Sequence, residues 1–451
     1  MADFTVTSRR ESPAGTMTIL GPPDKYIWAI YVFICIISII ELYSASSREV
    51  GIASSFGVLN PVVRHCALLI GGLVIMLFLQ SRPYSDFRLW TVFFVVISVG
   101  MMVYVMFFGE IVNGARRSLS LGGIQIQPAE FIKLSAVLVV SMIIAKNQQS
   151  KTIGVTDKGV WYSAAFILFF CALLAKQGLT NTLLLMCISL SIMLIGGVKF
   201  RQVLIVLAIY ACCGGVFVAY LALKPEEKAA TTTELIVNED GNIEETLVAA
   251  GARKDDTRLS TWQARIERYF GGDSIPKYRQ PINAENRQEM YAYMAQANSR
   301  GIGVGPGNSR ESARLPLAFS DFIYSIIIED LGLFGGLFVL FLYLCLLGRA
   351  SGIASRCSRA YPAMLVIGMA VMIVMQALVH MAINVGAAPV SGQPLALISK
   401  GGSSIIITSI ALGIMLSVSR YAASTRSKRQ EIKQEIDALP EEIRAENPTQ
   451  L

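Results

Sequence analysis

Four stretches of this 451-residue chain carry residue types that could do chemistry. The first is NGARRSLSLGG at 113–123, where Arg116 and Arg117 stand side by side, followed by QPAEFIKL at 127–134 with Glu130 and Lys133 at i,i+3 spacing. Paired guanidinium forks match phosphate oxygens, so these cations could form a pocket for a phosphate-bearing lipid. The same residues also fit a plainer arrangement, in which Glu130 and Lys133 neutralise each other and the arginines reach out to headgroups.

The second stretch is LPLAFSDFIYSIIIEDLG at 315–332, with Asp321 at the mouth of an apolar block and Glu329 and Asp330 inside it. Ser320 or Asp321 could cap the helix that follows; a partly desolvated Asp321 could instead act as a general base. The third, VHMAINVGAAPVSGQPLALISKGGSS at 379–404, interrupts an apolar region with glycine, proline and serine. Such an interruption predicts a re-entrant or broken segment lining a cavity. It contains His380, read as a hydrogen-bonded structural residue. The fourth, AKQGLTNT at 175–182, offers Lys176 and Thr180 for a ligand or a headgroup. His65, beside Arg64, is read as interfacial.

The elements that must hold these residues are membrane spans. Hydrophobic residues make up 53% of the chain and charged residues only 16%, well under the roughly one quarter usual in soluble domains. Apolar blocks near 27–46, 62–80, 89–108, 129–145, 159–175, 181–197, 203–223, 323–347, 361–385 and 402–419 each approach the ~20 residues that cross a bilayer. The expected fold is an all-α polytopic membrane protein of about ten spans. Its divisions are a cytoplasmic segment at 1–26, spans at 27–223, a large extracytoplasmic loop at 224–320, spans at 321–421 and a cytoplasmic tail at 422–451.

Lysines and arginines concentrate in alternate loops, which places both termini on the cytoplasmic side. Arg116 and Arg117 run against that trend and are the more notable for it. Within 224–320, an acidic first part reads as mobile, WQARIERYF and RQEMYAYMAQA have helical spacing suited to the membrane surface, and GIGVGPGNSRESARLP reads as an irregular, close-packed loop. The eight cysteines lack metal or disulfide spacing and read as small apolar residues. The net charge of +7 sits between apolar blocks, so nucleic-acid binding does not follow from it.

In this order, ELYSASS, NGARRSLSLGGIQIQPAEFIKL, GVGPGNS, LPLAFSDFIYSIIIEDLG and PVSGQPLALISKGGSS resemble the signature segments of the SEDS family (shape, elongation, division and sporulation). The resemblance implies a peptidoglycan glycosyltransferase of the bacterial cytoplasmic (inner) membrane. Such an enzyme joins lipid II into glycan strands beside a class B penicillin-binding protein transpeptidase and other division or elongation membrane proteins. The SDFIYSIIIEDLG wording and the charged tail are closer to the division subfamily than to the elongation one.

Carried over, the resemblance places the family's essential aspartate on Asp321 and its arginine and lysine positions on Arg116 or Arg117 and on Lys133. The candidate site read from the chain is Asp321 as catalytic residue with Arg116, Arg117, Glu130, Lys133, Ser399 and Ser403 binding substrate, and a divalent cation (magnesium or manganese) as a candidate co-ligand. Departures are Leu317 and Phe319 where the family carries glutamate and histidine, Ser118 for an aromatic, Gln177–Asn181 for a proline-aspartate-leucine-glycine turn, and His380 for an asparagine. Two rival classes remain, a lipid II transporter and a non-catalytic division scaffold.

Overall fold

Backbone N–H and C=O groups in hydrocarbon have no water to bond, so apolar blocks of this length can satisfy them only as helices. The computed structural model has apolar helices at all ten expected places: α1 (Lys25–Ser46), α2 (Leu59–Gln80), α3 (Phe87–Phe108), α4 (Pro128–Lys146), α5 (Asp157–Ala175), α6 (Leu179–Ile195), α7 (Phe200–Leu223), α9 (Ile323–Ala354), α10 (Ala360–Asn384) and α11 (Gly402–Asp437). A short helix, α8 (Arg287–Asn298), precedes α9. The structure describes residues 21–46, 59–112, 115–121, 124–149, 154–175, 178–223, 234–237, 243–246, 280–283, 286–315 and 318–437. Eight of the helices are long and apolar enough to cross a membrane, while α6 and the apolar part of α7 are shorter. The protein is thus a multi-pass helical membrane protein.

Burial sorts the spans. In α4, α10 and α11, between 72% and 89% of the most apolar window is covered by protein, against 22% in α3, so the first three form the interior and α3 faces lipid. Contacts between α2 and α11, α9 and α10, and α4 and α10 build that interior. The chain enters and leaves the bundle on one face. Gly21 N–H donates to the Arg420 carbonyl at 3.2 Å, Arg420 Nε returns a bond to the Gly21 carbonyl at 2.9 Å, and Arg349 at the far end of α9 holds Asp24.

The link between α3 and α4 adds three short strands to the helical fold. It forms a three-stranded antiparallel meander of β1 (Glu110–Val112), β2 (Ala115–Leu121) and β3 (Ile124–Ile126). Between the paired Val112 and Ala115 lie Asn113 and Gly114, the dipeptide that most favours a two-residue hairpin, and Gly122 and Gly123 lie between the paired Leu121 and Ile124. The turn signals and the S-L-S-L alternation outweigh helix formation over so short a stretch.

In the long connection, RQEMYAYMAQA forms α8 as the spacing predicts, and it packs on α9 and α10 with Met290, Ala292 and Ala295 buried. WQARIERYF lies outside the described residues. Within the acidic part, β4 (Glu234–Val237) and β5 (Ile243–Thr246) pair antiparallel.

Residues 301–315 form the expected irregular loop, and the reason for its close packing lies in α9. Gly332 breaks that helix at φ 75°, ψ −177°. The carbonyls of Glu329 and Asp330 accept instead from Val304 N–H and Gly305 N–H, both at 2.9 Å, and Leu333 N–H donates to the Gly301 carbonyl at 3.0 Å. A Cβ on Gly303 would fall 2.4 Å from the Asp330 carbonyl oxygen, so main chain meets main chain there.

Candidate active site

The broken segment between α10 and α11, residues 385–401, gathers most of the candidate residues. Its backbone carries a strained position, Leu397 at φ 66°. Beside it Ser38 of α1 lies 2.9 Å from the Leu397 carbonyl and 2.6 Å from His65 Nε2 of α2. His65 is buried, not interfacial as the sequence suggested; a hydrogen-bonding site beside irregular backbone holds it inside the bundle.

The turn that bears Asp321 is clamped by this segment and by α10. Ser399 Oγ donates to the Ser320 carbonyl at 2.6 Å, and Lys400 N–H donates to the Phe319 carbonyl at 2.9 Å. Asn384 Nδ2, at the end of α10, donates to the Asp321 carbonyl at 3.1 Å. The other side of the Asn384 amide is also used, since its Oδ1 accepts from Ser325 N–H at 3.1 Å and Ser325 Oγ at 2.9 Å. Asn384 therefore caps the first turn of α9 from another helix. The residue that immediately precedes α9 is Phe322. Ser320 Oγ donates to Asp321 Oδ1 at 2.9 Å. Gly392 brings main chain against the Asp321 carboxylate: a Cβ there would stand 3.0 Å from Oδ2.

Lys133 and Glu130 make the buried pair, with Nζ to Oε1 at 2.7 Å and side-chain exposures of 0% and 3%. Lys133 Nζ also donates to Gln376 Oε1 of α10 at 3.0 Å, and Gln376 Nε2 donates to the Pro394 carbonyl at 3.2 Å. The pair thus supports the broken segment from behind, through Gln376.

Ser399 and Ser403 are likewise engaged with the protein. Ser399 Oγ accepts from Leu395 N–H at 2.7 Å, and Ser403 Oγ, at the start of α11, accepts from Gln127 N–H at 3.2 Å, where α4 begins. Expected as ligand contacts, both serines fasten backbone, because glycine- and proline-rich chain leaves N–H and C=O groups that only side chains can satisfy.

Arg116 and Arg117 lie on β2, whose neighbour β3 runs against α11. Arg116 is opposite Ile111, and Arg117 falls at a register irregularity before the Glu110–Ser118 pair. Their side chains lie outside the described residues, as do Leu317 and Lys176. Phe319 meets Lys400, whose Nζ is 4.3 Å from the ring centroid, a cation–π contact in the place of the family's histidine. The turn after α5 reaches the site through Asn181, whose Oδ1 accepts from Gln393 Nε2 at 3.0 Å.

Asn384, Gln376 and Gly392 are the site residues that sequence reasoning missed. The asparagine role was given to His380, one turn earlier; in the structure His380 Nδ1 donates to the Gln393 carbonyl at 2.6 Å, and Asn384 takes the Asp321 turn. The one available signal was an asparagine ending an apolar span before VGAAP.

The family model for FtsW, RodA and SpoVE, described as "Cell cycle protein", matches residues 24–238 and 268–424. A Bacillus subtilis relative named "Probable peptidoglycan glycosyltransferase FtsW" is 26% identical over 410 residues, covering 89% of this chain and 92% of the relative. The Escherichia coli "Peptidoglycan glycosyltransferase MrdB" is 25% identical and covers 88% and 93%. Among solved structures, the Thermus thermophilus rod shape determining protein RodA superposes with a TM-score of 0.56 at 20% identity, covering 88% of this chain and 97% of that one. A chain from a structure titled "Structural coordination of polymerization and crosslinking by a peptidoglycan synthase complex" gives 0.62 at 20% identity, covering 89% and 98%. With this layout, these segments in this order and a model match over most of its length, the chain belongs to the FtsW/RodA/SpoVE cell cycle protein family.

Proposed function

We propose that this protein is an inverting peptidoglycan glycosyltransferase that polymerises lipid II into glycan strands and releases undecaprenyl pyrophosphate, in septal wall synthesis during division. The observation that carries the reading is the Asp321 turn. Its main chain is held by Ser399, Lys400 and Asn384, and Ser320 Oγ donates to its carboxylate at 2.9 Å. A carboxylate placed so firmly beside a cavity-type broken segment suits proton abstraction, which needs a fixed base within hydrogen-bond reach of its proton.

Asp321 accepts the proton of the acceptor sugar's 4-hydroxyl as that oxygen attacks the anomeric carbon of the donor. The bond from that carbon to the pyrophosphate oxygen breaks, with inversion. Arg116 and Arg117, on the meander beside α11, are the residues proposed to meet the charge that develops on the leaving pyrophosphate. Glu130, Lys133, Ser399 and Ser403 act on the reaction by fixing the shape of the broken segment.

Among the described residues, no three carboxylate, imidazole or thiolate groups converge to form a cation cage. A divalent cation at Asp321 would take most of its ligands from water and pyrophosphate. The proposed surroundings are the bacterial cytoplasmic membrane, with both termini inside and a class B penicillin-binding protein as transpeptidase partner. The alternating basic loops and the division-like wording of SDFIYSIIIEDLG support these points.

The test is polymerisation of labelled lipid II by the protein purified with its transpeptidase, comparing wild type with Asp321→Ala. Glycan ladders from wild type and none from a normally folded variant are expected. Equal ladders from both would remove Asp321 from the site. None from either, with normal lipid II movement across vesicles, would favour transport.

A further inference from the structure

On the face opposite the Asp321 turn, where α1 begins and α9 ends, lies a cavity of about 470 Å³ that the reaction does not use. Three candidate spans, Lys25–Ala45, Ile323–Ala354 and Gly402–Ser427, have ends at this cavity, which places it at the depth of the lipid headgroups. Lys25, Arg349, Arg356 and Arg426 line it, with Asp24 as the acidic member.

Asp24 is already engaged. Its Oδ1 accepts from Tyr26 N–H at 3.0 Å and Ile27 N–H at 3.3 Å, starting α1, and its Oδ2 accepts from Arg349 Nε at 2.8 Å and Nη2 at 2.5 Å. The Arg349 guanidinium also lies 4.5 Å from the centre of the Tyr26 ring, so that wall is held rigidly. Lys25, Arg356 and Arg426 are exposed and make no ion pair among the described residues. The α1 first turn adds the positive end of its dipole.

Basic residues on this face would be expected from topology alone, but topology requires charge in a loop, not three cations without an ion pair among the described residues around one concavity. We propose that this cavity is a binding site for the phosphate of an anionic phospholipid. Lys25, Arg356 and Arg426 would meet the phosphate, and the apolar wall that includes Ile353 and Ala422 would lie along the glycerol and upper acyl chain. In the proposed topology the lipid belongs to the inner leaflet. The site itself requires neither that orientation nor the glycosyltransferase activity.

The full chain, purified in detergent, would be examined by native mass spectrometry with added phosphatidylglycerol, and with phosphatidylcholine as the neutral control. Wild type should keep phosphatidylglycerol selectively. Arg356→Gln with Arg426→Gln should reduce that retention about tenfold, as loss of charge-assisted bonds predicts. Lys199→Gln with Arg201→Gln, which also removes two basic residues but none that lines the cavity, should leave it unchanged. Equal retention by the cavity variant, or equal loss in the control pair, would overturn the site. Stabilisation of wild type by inorganic phosphate alone, abolished by the cavity variant, would overturn the lipid and assign the cavity to a soluble phosphate compound.

Discussion

Asn384 Nδ2 donates to the main-chain carbonyl of Asp321 at 3.1 Å, so the end of one span fixes the turn that precedes another. The oxygen of the same side-chain amide accepts from Ser325 N–H at 3.1 Å, a donor that it shares with the Phe322 carbonyl at 3.0 Å.

Asn384→Ala should therefore lower polymerisation without preventing insertion or folding. Buried donors and acceptors left without partners cost about 1–3 kcal/mol, and a loss of that size in the transition state corresponds to a rate loss of roughly fivefold to 150-fold. Single-turnover rates at saturating lipid II check this. A full rate with a lowered melting temperature would make Asn384 structural only.

Gly392 gives a graded version of the same test. A methyl at 392 would press on Asp321 Oδ2 from 3.0 Å, and a branched side chain would displace the carboxylate. Gly392→Ala should keep part of the rate and Gly392→Val should lose nearly all of it, with detergent melting temperatures close to wild type. Equal rates in the two would show that the approach of main chain to Asp321 is immaterial.

Glu130 and Lys133 should behave as a buried pair. Lys133→Met strands a carboxylate inside the bundle, which typically costs about 3–5 kcal/mol, whereas Lys133→Met with Glu130→Gln should regain much of that stability. Thermal unfolding of the four members of the cycle measures the coupling. Additive losses would deny the pairing seen at 2.7 Å.

These residues differ in how far sequence alone could find them. Glu130 and Lys133 were legible because their spacing is local and charge within an apolar block is conspicuous. Asp321 was legible because it borders a span, although only the structure shows Ser399, Lys400 and Asn384 holding its turn. Asn384 and Gln376 act across 63 and 243 positions of chain, and no periodicity encodes such a partner. The meander was legible in principle, since Asn113–Gly114 and Gly122–Gly123 are hairpin signals, but the two arginines drew attention to charge instead. The ten apolar blocks needed only length and hydropathy, and helices occupy every one.

Gly332→Ala should be among the most damaging single changes. Its φ of 75° disfavours a side chain, and a Cβ would lie 2.5 Å from main-chain atoms of Gly301 and Ile302. Poor yield and a lowered melting temperature are expected, and a wild-type melting curve would deny the close approach.

That glycine break also has a dynamic consequence. Where α9 gives up its own pairing at Glu329 and Asp330, the loop after α8 supplies the donors, as if an extra piece of chain had been spliced into the helix. Loop 301–305 cannot swing away without leaving two peptide carbonyls unpaired at the edge of hydrocarbon, a penalty that ordinary surface loops escape. The amide protons of Val304 and Gly305 should therefore exchange with solvent on the timescale of the span, so that a segment rich in glycine keeps time with the most rigid part of the protein.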